Sequence, residues 1–227
     1  MIPALRAVGS GNSLHGPVPV VLSAATLAAF VPAVLAVVVA PGPDTVYAVT
    51  RSLGSGRAAG VAASLGTATG VLVHTGAAVL GLAALLRASE TAYALVTYVG
   101  AAYLVYLGVR TLRREDEFEV TPDGASRSLR RSYREAVVVN VSNPKVALFV
   151  LAAFPQFVPA DATAEMSLLG VVYAGLSLAY LGGVALFAGR VRGPLLESAR
   201  TRRALRHVSG AVLVGFGTAL ALDGWMA

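Results

Sequence analysis

The 227-residue chain contains no cysteine. A disulfide frame, a thiol redox relay, a thiolate metal site and an iron–sulfur cluster are therefore all excluded. Histidine is nearly as scarce: His15, His74 and His207 stand in separate parts of the chain and form no pair with metal-ligand spacing, so no metal centre is expected. Charge is sparse as well. Asp, Glu, Lys and Arg make up 13% of the residues, against roughly a quarter in soluble domains. No residue between Arg6 and Asp44 carries a formal charge, and similar gaps separate Arg57 from Arg87, Glu90 from Arg110, and Glu165 from Arg190.

What is present in quantity is apolar. Hydrophobic residues reach 56%, the mean hydropathy is +0.71, and 24 glycines accompany abundant Ala, Val and Leu. Uncharged apolar runs of about 18 residues or more are read as membrane spans, and small residues suit helices that pack closely in lipid. The expected class is an all-α polytopic membrane protein. The sequence pI is about 10.1, yet the basic residues flank apolar runs and form no separate basic domain, so they indicate orientation in a bilayer and not a nucleic-acid partner.

Residues 1–20 are expected to form a flexible segment outside the membrane, and 21–227 a single transmembrane domain. The apolar run from Val20 to Ala40 is too long for the roughly 7 to 15 residues of a signal-peptide core and reads as a retained span. Six spans are predicted: Leu22 to Thr50, Ala58 to Leu86, Thr91 to Val109, Ala136 to Val158, Met166 to Ala188, and Leu205 to Leu222. A hydrophilic linker, residues 110–135, divides them into two halves of three. The stretch Val99 to Tyr106 weakly resembles Ser209 to Phe216, and three spans per half make such repeats inverted, an architecture common among secondary transporters.

Two spans are interrupted. Pro41-Gly42-Pro43-Asp44 places two helix breakers and an acid inside the first, so continuous helix is not expected there. Asn143-Pro144-Lys145 repeats the device in the fourth, with a preferred N-cap followed by a preferred first helical residue. Broken backbone at membrane depth is tolerated only where protein or a water-filled cavity satisfies it. Lys145 is the chain's only lysine and lies within an apolar segment, where a charge costs roughly 2.5 kcal/mol or more at the bilayer centre and usually faces a partner or a water pathway. Alternatively, Asp44 only caps the helix that follows it and Lys145 snorkels to the surface. His74, near the middle of the second span, is either a proton or substrate contact or a neutral imidazole bonded to a neighbouring helix. Gly66 and Gly70 on the same helix form a GxxxG step, read as a packing face.

Five stretches taken together, in order along the chain, resemble the LysE/RhtB family of amino-acid exporters. They are Pro41-Gly42-Pro43-Asp44, the Gly56 to Gly60 entry to the second span, Thr69 to His74, Gly100 to Gly108, and Asn143-Pro144-Lys145 continuing to Phe157. The resemblance runs from about Leu22 to Leu222. It implies secondary-active efflux of amino acids or related small metabolites across the cytoplasmic membrane, with no cofactor and no enzymatic activity. By position it nominates Pro41, Gly42, Pro43, Asp44, Asn143, Pro144 and Lys145 as the membrane-buried functional set, with His74 more loosely attached. The implied partners are an amino-acid substrate, the lipid bilayer and protons as coupling ion; assembly into a homo-oligomer stays open. A zwitterionic substrate needs positive groups for its carboxylate, which half-helix N-termini and Lys145 supply, and acceptors for its ammonium, which Asp44 and the freed carbonyls near Ala40 and Ser142 supply. Asp44 and Lys145 are expected to be neighbours or to share a bound substrate. A passive channel, a structural membrane subunit and a metal-cation exporter share the spans and breaks and remain alternatives.

Basic residues fix the expected orientation. Fifteen arginines fall in the loops after the first, third and fifth spans, while only Arg6 and Arg87 fall on the other side. The positive-inside rule then places those three loops in the cytoplasm and both termini outside. A Ser126→Cys variant, the only thiol in the chain, is expected to react with an impermeant maleimide only after the cells are permeabilised. Strong labelling of intact cells reverses the assignment.

Overall fold

The computed structural model describes residues 22–40, 42–113, 128–159, 161–188 and 199–226. Residues 1–20 and most of the 110–135 linker therefore lie outside the described residues, as does Pro41. All regular structure among the described residues is helical: α1 (Ala24–Val39), α2 (Pro43–Ser55), α3 (Arg57–Ala88), α4 (Glu90–Arg113), α5 (Leu129–Val141), α6 (Pro144–Ala153) followed by a 3-10 turn (Phe154–Gln156), α7 (Thr163–Leu186) and α8 (Ala199–Met226).

The helix boundaries follow local chemistry. Ser23 starts α1 by accepting the Thr26 N–H at 3.0 Å. Pro32 lies inside α1 without ending it, so the stop after Val39 belongs to the breaker cluster at 41–43. Pro43 then opens α2, where its missing N–H costs nothing. Gly56, at φ +90°, turns the chain from α2 into α3, a conformation that residues with a Cβ rarely adopt. α1 and α2 meet at 59°, α5 and the α6 segment at 56°.

Three helices, within α3, α4 and α7, are long and apolar enough to cross a membrane, and the two bent pairs bring the number to five if each pair is one span. The sixth expected span lies within α8, part of whose side chains fall outside the described residues. The hydrophilic stretch between the halves is more helical at its ends than the sequence reading allowed. α4 continues to Arg113 and α5 begins at Leu129, capped by Ser128, which accepts the Arg131 N–H. Both extensions carry arginines, whose long side chains let a helix continue beyond its apolar part.

α4 lies along α8, while α3 lies along both α5 and α7. The core between α1, α6, α7 and α8 is aromatic. Phe30 meets Phe154 and Phe157 edge-on at 5.5 and 5.0 Å, Phe149 meets Tyr173 edge-on at 5.5 Å, and Phe157 stacks on Phe216 at 5.7 Å. Such pairs contribute about 0.5–1.5 kcal/mol each beyond their burial. Elsewhere helices touch through glycine. A Cβ on Gly210 would stand 2.6 Å from Leu112 Cγ and 3.0 Å from the Gly108 carbonyl, so α4 and α8 approach backbone to backbone.

Gly66 and Gly70 on α3 face α5. A Cβ on Gly66 would stand 2.8 Å from that of Ala136 and also meet the Tyr133 carbonyl, and one on Gly70 would stand 2.7 Å from Asn140 Cβ. Because backbone and Cβ atoms cannot move aside cheaply, Gly66→Ala is expected to destabilise the detergent-solubilised protein by about 1–3 kcal/mol, and Gly66→Leu to eliminate folded protein. Gly76 has nothing within 4 Å of its missing Cβ, so Gly76→Ala should be neutral or slightly stabilising, by up to about 1 kcal/mol, through helix propensity. Thermal unfolding of the variants side by side checks both; equal stability of Gly66→Ala and wild type contradicts the close approach.

Candidate functional site

The two chain breaks lie against each other. α1 ends and α2 begins beside the point where α5 ends and α6 begins, and hydrogen bonds between polar groups join the two breaks. Asp44, in the first turn of α2, places its carboxylate near that helix's free N–H groups, where negative charge is favoured. Its Oδ1 accepts from Asn140 Nδ2 at 3.0 Å and its Oδ2 from Asn143 Nδ2 at 2.7 Å. Asn143 also caps α6, since its Oδ1 accepts the Lys145 N–H at 3.1 Å. One amide side chain thus joins the first turns of both half-helices that leave the breaks.

Lys145 serves the opposite helix end. The last carbonyls of α1 have no partner within the helix, and Lys145 Nζ donates to Val37 O at 3.0 Å and Ala40 O at 3.1 Å. A cation at a helix C-terminus complements the helix dipole. The ammonium reaches those carbonyls by passing Gly42, where a Cβ would lie 3.0 Å from Nζ. Relative exposures of 7% for Asp44, 1% for Asn140, 4% for Asn143 and 8% for Lys145 place the group out of solvent, where a hydrogen bond to a charged group contributes about 1.5–3 kcal/mol.

His74 joins from α3. Its Nε2 is 3.1 Å from the Asn140 carbonyl, and a carbonyl only accepts, so Nε2 carries the hydrogen. His74 therefore touches the break through Asn140 and not through Asp44 or Lys145. Gly42, Pro43, Asp44, Asn143, Pro144 and Lys145 are brought together at the paired breaks, with His74 one residue removed. Gly66 and Gly70 lie on the α3 face that supports Asn140.

Asp44 and Lys145 are neighbours that line the same small cavity but form no direct ion pair, and one expectation is corrected. Each is satisfied separately, the acid by two amides and the base by two carbonyls. The Ala40 carbonyl, expected to be free for a substrate ammonium, is occupied by Lys145 Nζ. Asn140 is the functional residue that the sequence reading overlooked. Its signal was present: a lone amide in a valine run, three residues before the Asn143 break. Thr67, Tyr173 and Ser177 also line the cavity, but in sequence they are indistinguishable from ordinary helix-packing residues.

The cavity measures about 20 Å³, room for about one water molecule. Its walls are largely aliphatic, among them Val37, Val71, Val146 and Leu181. Asn140 Oδ1 is buried there without a hydrogen-bond partner among the described residues. The amide orientation is fixed by its Nδ2, which serves the carboxylate, so an acceptor is left over beside Asp44.

Apolar broken spans wrapped around a buried charged centre define a multi-pass membrane translocator. The sequence pattern of the LysE type translocator family matches residues 35–224, and the chain belongs to that family. Among its relatives are a homoserine/homoserine lactone efflux protein of Salmonella typhimurium, 28% identical over 80% of this chain and 88% of the relative, and a leucine efflux protein of Salmonella choleraesuis, 28% identical over 82% and 89%. An uncharacterized membrane protein of Vibrio cholerae is 29% identical over 80% and 89%. No solved structure matches the chain.

The bridging role of Asn143 yields a swap. Asp44→Asn points an amide at two amide donors, so one N–H faces another and the variant should lose about 2–4 kcal/mol. Adding Asn143→Asp restores a donor–acceptor pair and keeps a good N-cap. The Asp44→Asn/Asn143→Asp protein should therefore unfold at a higher temperature than Asp44→Asn alone. A double variant less stable than both singles refutes the bridge.

Proposed function

We propose that this protein exports amino acids or closely related small metabolites across the cytoplasmic membrane by secondary-active transport, with proton exchange at Asp44. The observation that carries the reading is the polar junction between two broken spans, in which Asp44, Asn140, Asn143 and Lys145 meet around a cavity out of solvent. The printed names of two relatives, for homoserine and leucine efflux, point the same way. The proposed frame is six spans in two three-helix halves with both termini outside. It is supported by the close packing of α4 on α8, the last helix of each half, and by the placement of arginines.

A cavity with room for one water is too small for an amino acid, so the geometry corresponds to an occluded state from which the half-helices must separate. Movement of α1 against α6 releases Lys145 Nζ from Val37 and Ala40 and frees a cation for the substrate carboxylate, beside the N–H groups opening α2 and α6. The substrate ammonium then takes Asp44 and the spare Asn140 Oδ1. Asn140 suits proton exchange because its amide can serve either form of Asp44: Nδ2 donates to the carboxylate, and Oδ1, after the amide turns, accepts from the carboxylic acid. Among the described residues the aliphatic and hydroxyl-bearing walls hold no second acid for a cationic side chain, which favours substrates with an uncharged side chain.

Counterflow in proteoliposomes tests the reading. Vesicles loaded with unlabelled leucine or homoserine should accumulate the labelled amino acid transiently, a proton gradient should drive uptake or efflux against concentration, and Asp44→Asn should abolish the pH dependence. Simple equilibration without transient accumulation indicates a channel. Absence of any flux for a panel of amino acids removes the reading.

A further inference from the structure

A second, wider cleft lies away from the paired breaks. It is a cleft of about 730 Å³ beside the first turns of α5, with Tyr47 of α2 on its other side. Its charge is unbalanced. Arg130, Arg131, Arg134 and Glu135 line it, but Glu135 is fully engaged: its Oε2 accepts from Tyr47 Oη at 2.8 Å and its Oε1 from Arg131 Nε at 2.8 Å. Arg130 and Arg134, one turn apart on the same side of α5, are exposed and enter no ion pair among the described residues. Two guanidinium groups thus line the cleft with no counter-charge among the described residues, and a guanidinium's fork of donors suits phosphate oxygens.

Below them the same helix side turns apolar. Val138 follows Arg134 by one turn and Val141 lies nearly one turn further, and these side chains are 64% and 40% exposed. The stripe Arg130, Arg134, Val138, Val141 therefore runs from paired cations to bare aliphatic surface over about 16 Å of helix. A free anion would use only its upper part. An amphiphile with a phosphate at one end and a hydrocarbon chain at the other uses all of it, and in a membrane translocator this stripe spans the level where headgroups meet acyl chains.

We infer that this cleft is a binding site for one anionic phospholipid, with Arg130 and Arg134 on the phosphate and an acyl chain along Val138 and Val141. The site bears on transport because Asn140, which donates to Asp44, is on the same helix as the two arginines. A lipid held on α5 fixes the helix that carries one side of the polar junction.

The test uses the full chain, purified and delipidated in detergent, with bound species counted by native mass spectrometry. Phosphatidylglycerol and phosphatidylcholine of identical acyl chains are titrated separately, and inorganic phosphate is added as competitor. Phosphatidylglycerol should bind about tenfold or more tightly than phosphatidylcholine. The Arg130→Gln/Arg134→Gln variant should lose that preference, and Arg203→Gln, at an exposed arginine of α8, should keep it. Val138→Gln should weaken the lipid several-fold while the preference for the anionic headgroup persists. Both altered arginines are exposed and enter no ion pair among the described residues, so the fold is expected to persist, and a melting curve of each variant verifies it. The inference is overturned by an undiminished preference in the double variant, by equal loss in Arg203→Gln, or by displacement of the lipid by millimolar phosphate, which would make the cleft a site for free anions.

Discussion

The carboxylate of Asp44 is where the two chain breaks of this molecule meet. Two membrane spans are interrupted by proline, and each interruption exposes helix ends whose N–H and carbonyl groups need partners away from water. The partners come from the opposite break. Asn143 caps its own half-helix and donates to Asp44 on the other, and Lys145 reaches back to the carbonyls that end α1. Neither break is satisfied without the other. Removing a charge from this junction therefore does more than delete a contact, because it leaves buried donors or carbonyls without partners, at about 1–3 kcal/mol for each group.

That mutual capping explains why a buried acid and a buried base in one cavity do not pair. A direct ion pair would neutralise both charges and leave the helix ends orphaned, whereas the observed arrangement assigns each charge to the helix terminus whose dipole it complements. It also leaves the charges available. Bonds to amides and carbonyls can be exchanged for bonds to a zwitterion of matching polarity, one at a time, as the half-helices move. The proposed transport cycle depends on this replaceability, and on α5 and α6 moving relative to α1 and α2 about joints where no continuous helix resists.

The surroundings set how far such motion can go. α3 is held to α5 and α7 by contacts that admit no side chain at Gly66, Gly70 or Gly170, and α4 to α8 at Gly108 and Gly210. By contrast, α1 packs against α7 and α8 through aliphatic residues such as Val34 and Val37, and through Phe30, which meets Phe154 and Phe157 edge-on. The glycine seams are thus the closest helix approaches among those described.

Much of this was legible in the residues themselves. Apolar runs without charge, the breakers at 41–43 and at Pro144, and a lone lysine inside an apolar segment require spans, interruptions and a buried cation, because helix geometry and the cost of charge in lipid are local properties. The same local chemistry fixes Asn143 as a cap. What lay beyond the sequence was who meets whom. Asn140 acquires its role only because α3 lets α5 approach closely enough for its amide to reach Asp44, 96 residues away in the chain. Lys145 caps a helix that ends 105 residues earlier, since opposite charges attract at any separation but hydrogen bonds form only where backbone geometry brings donor and acceptor within about 3 Å. Composition and spacing determine that there must be a polar junction in an apolar protein. Only the tertiary packing decides which donor serves which acceptor, because that choice depends on distances that no stretch of sequence contains.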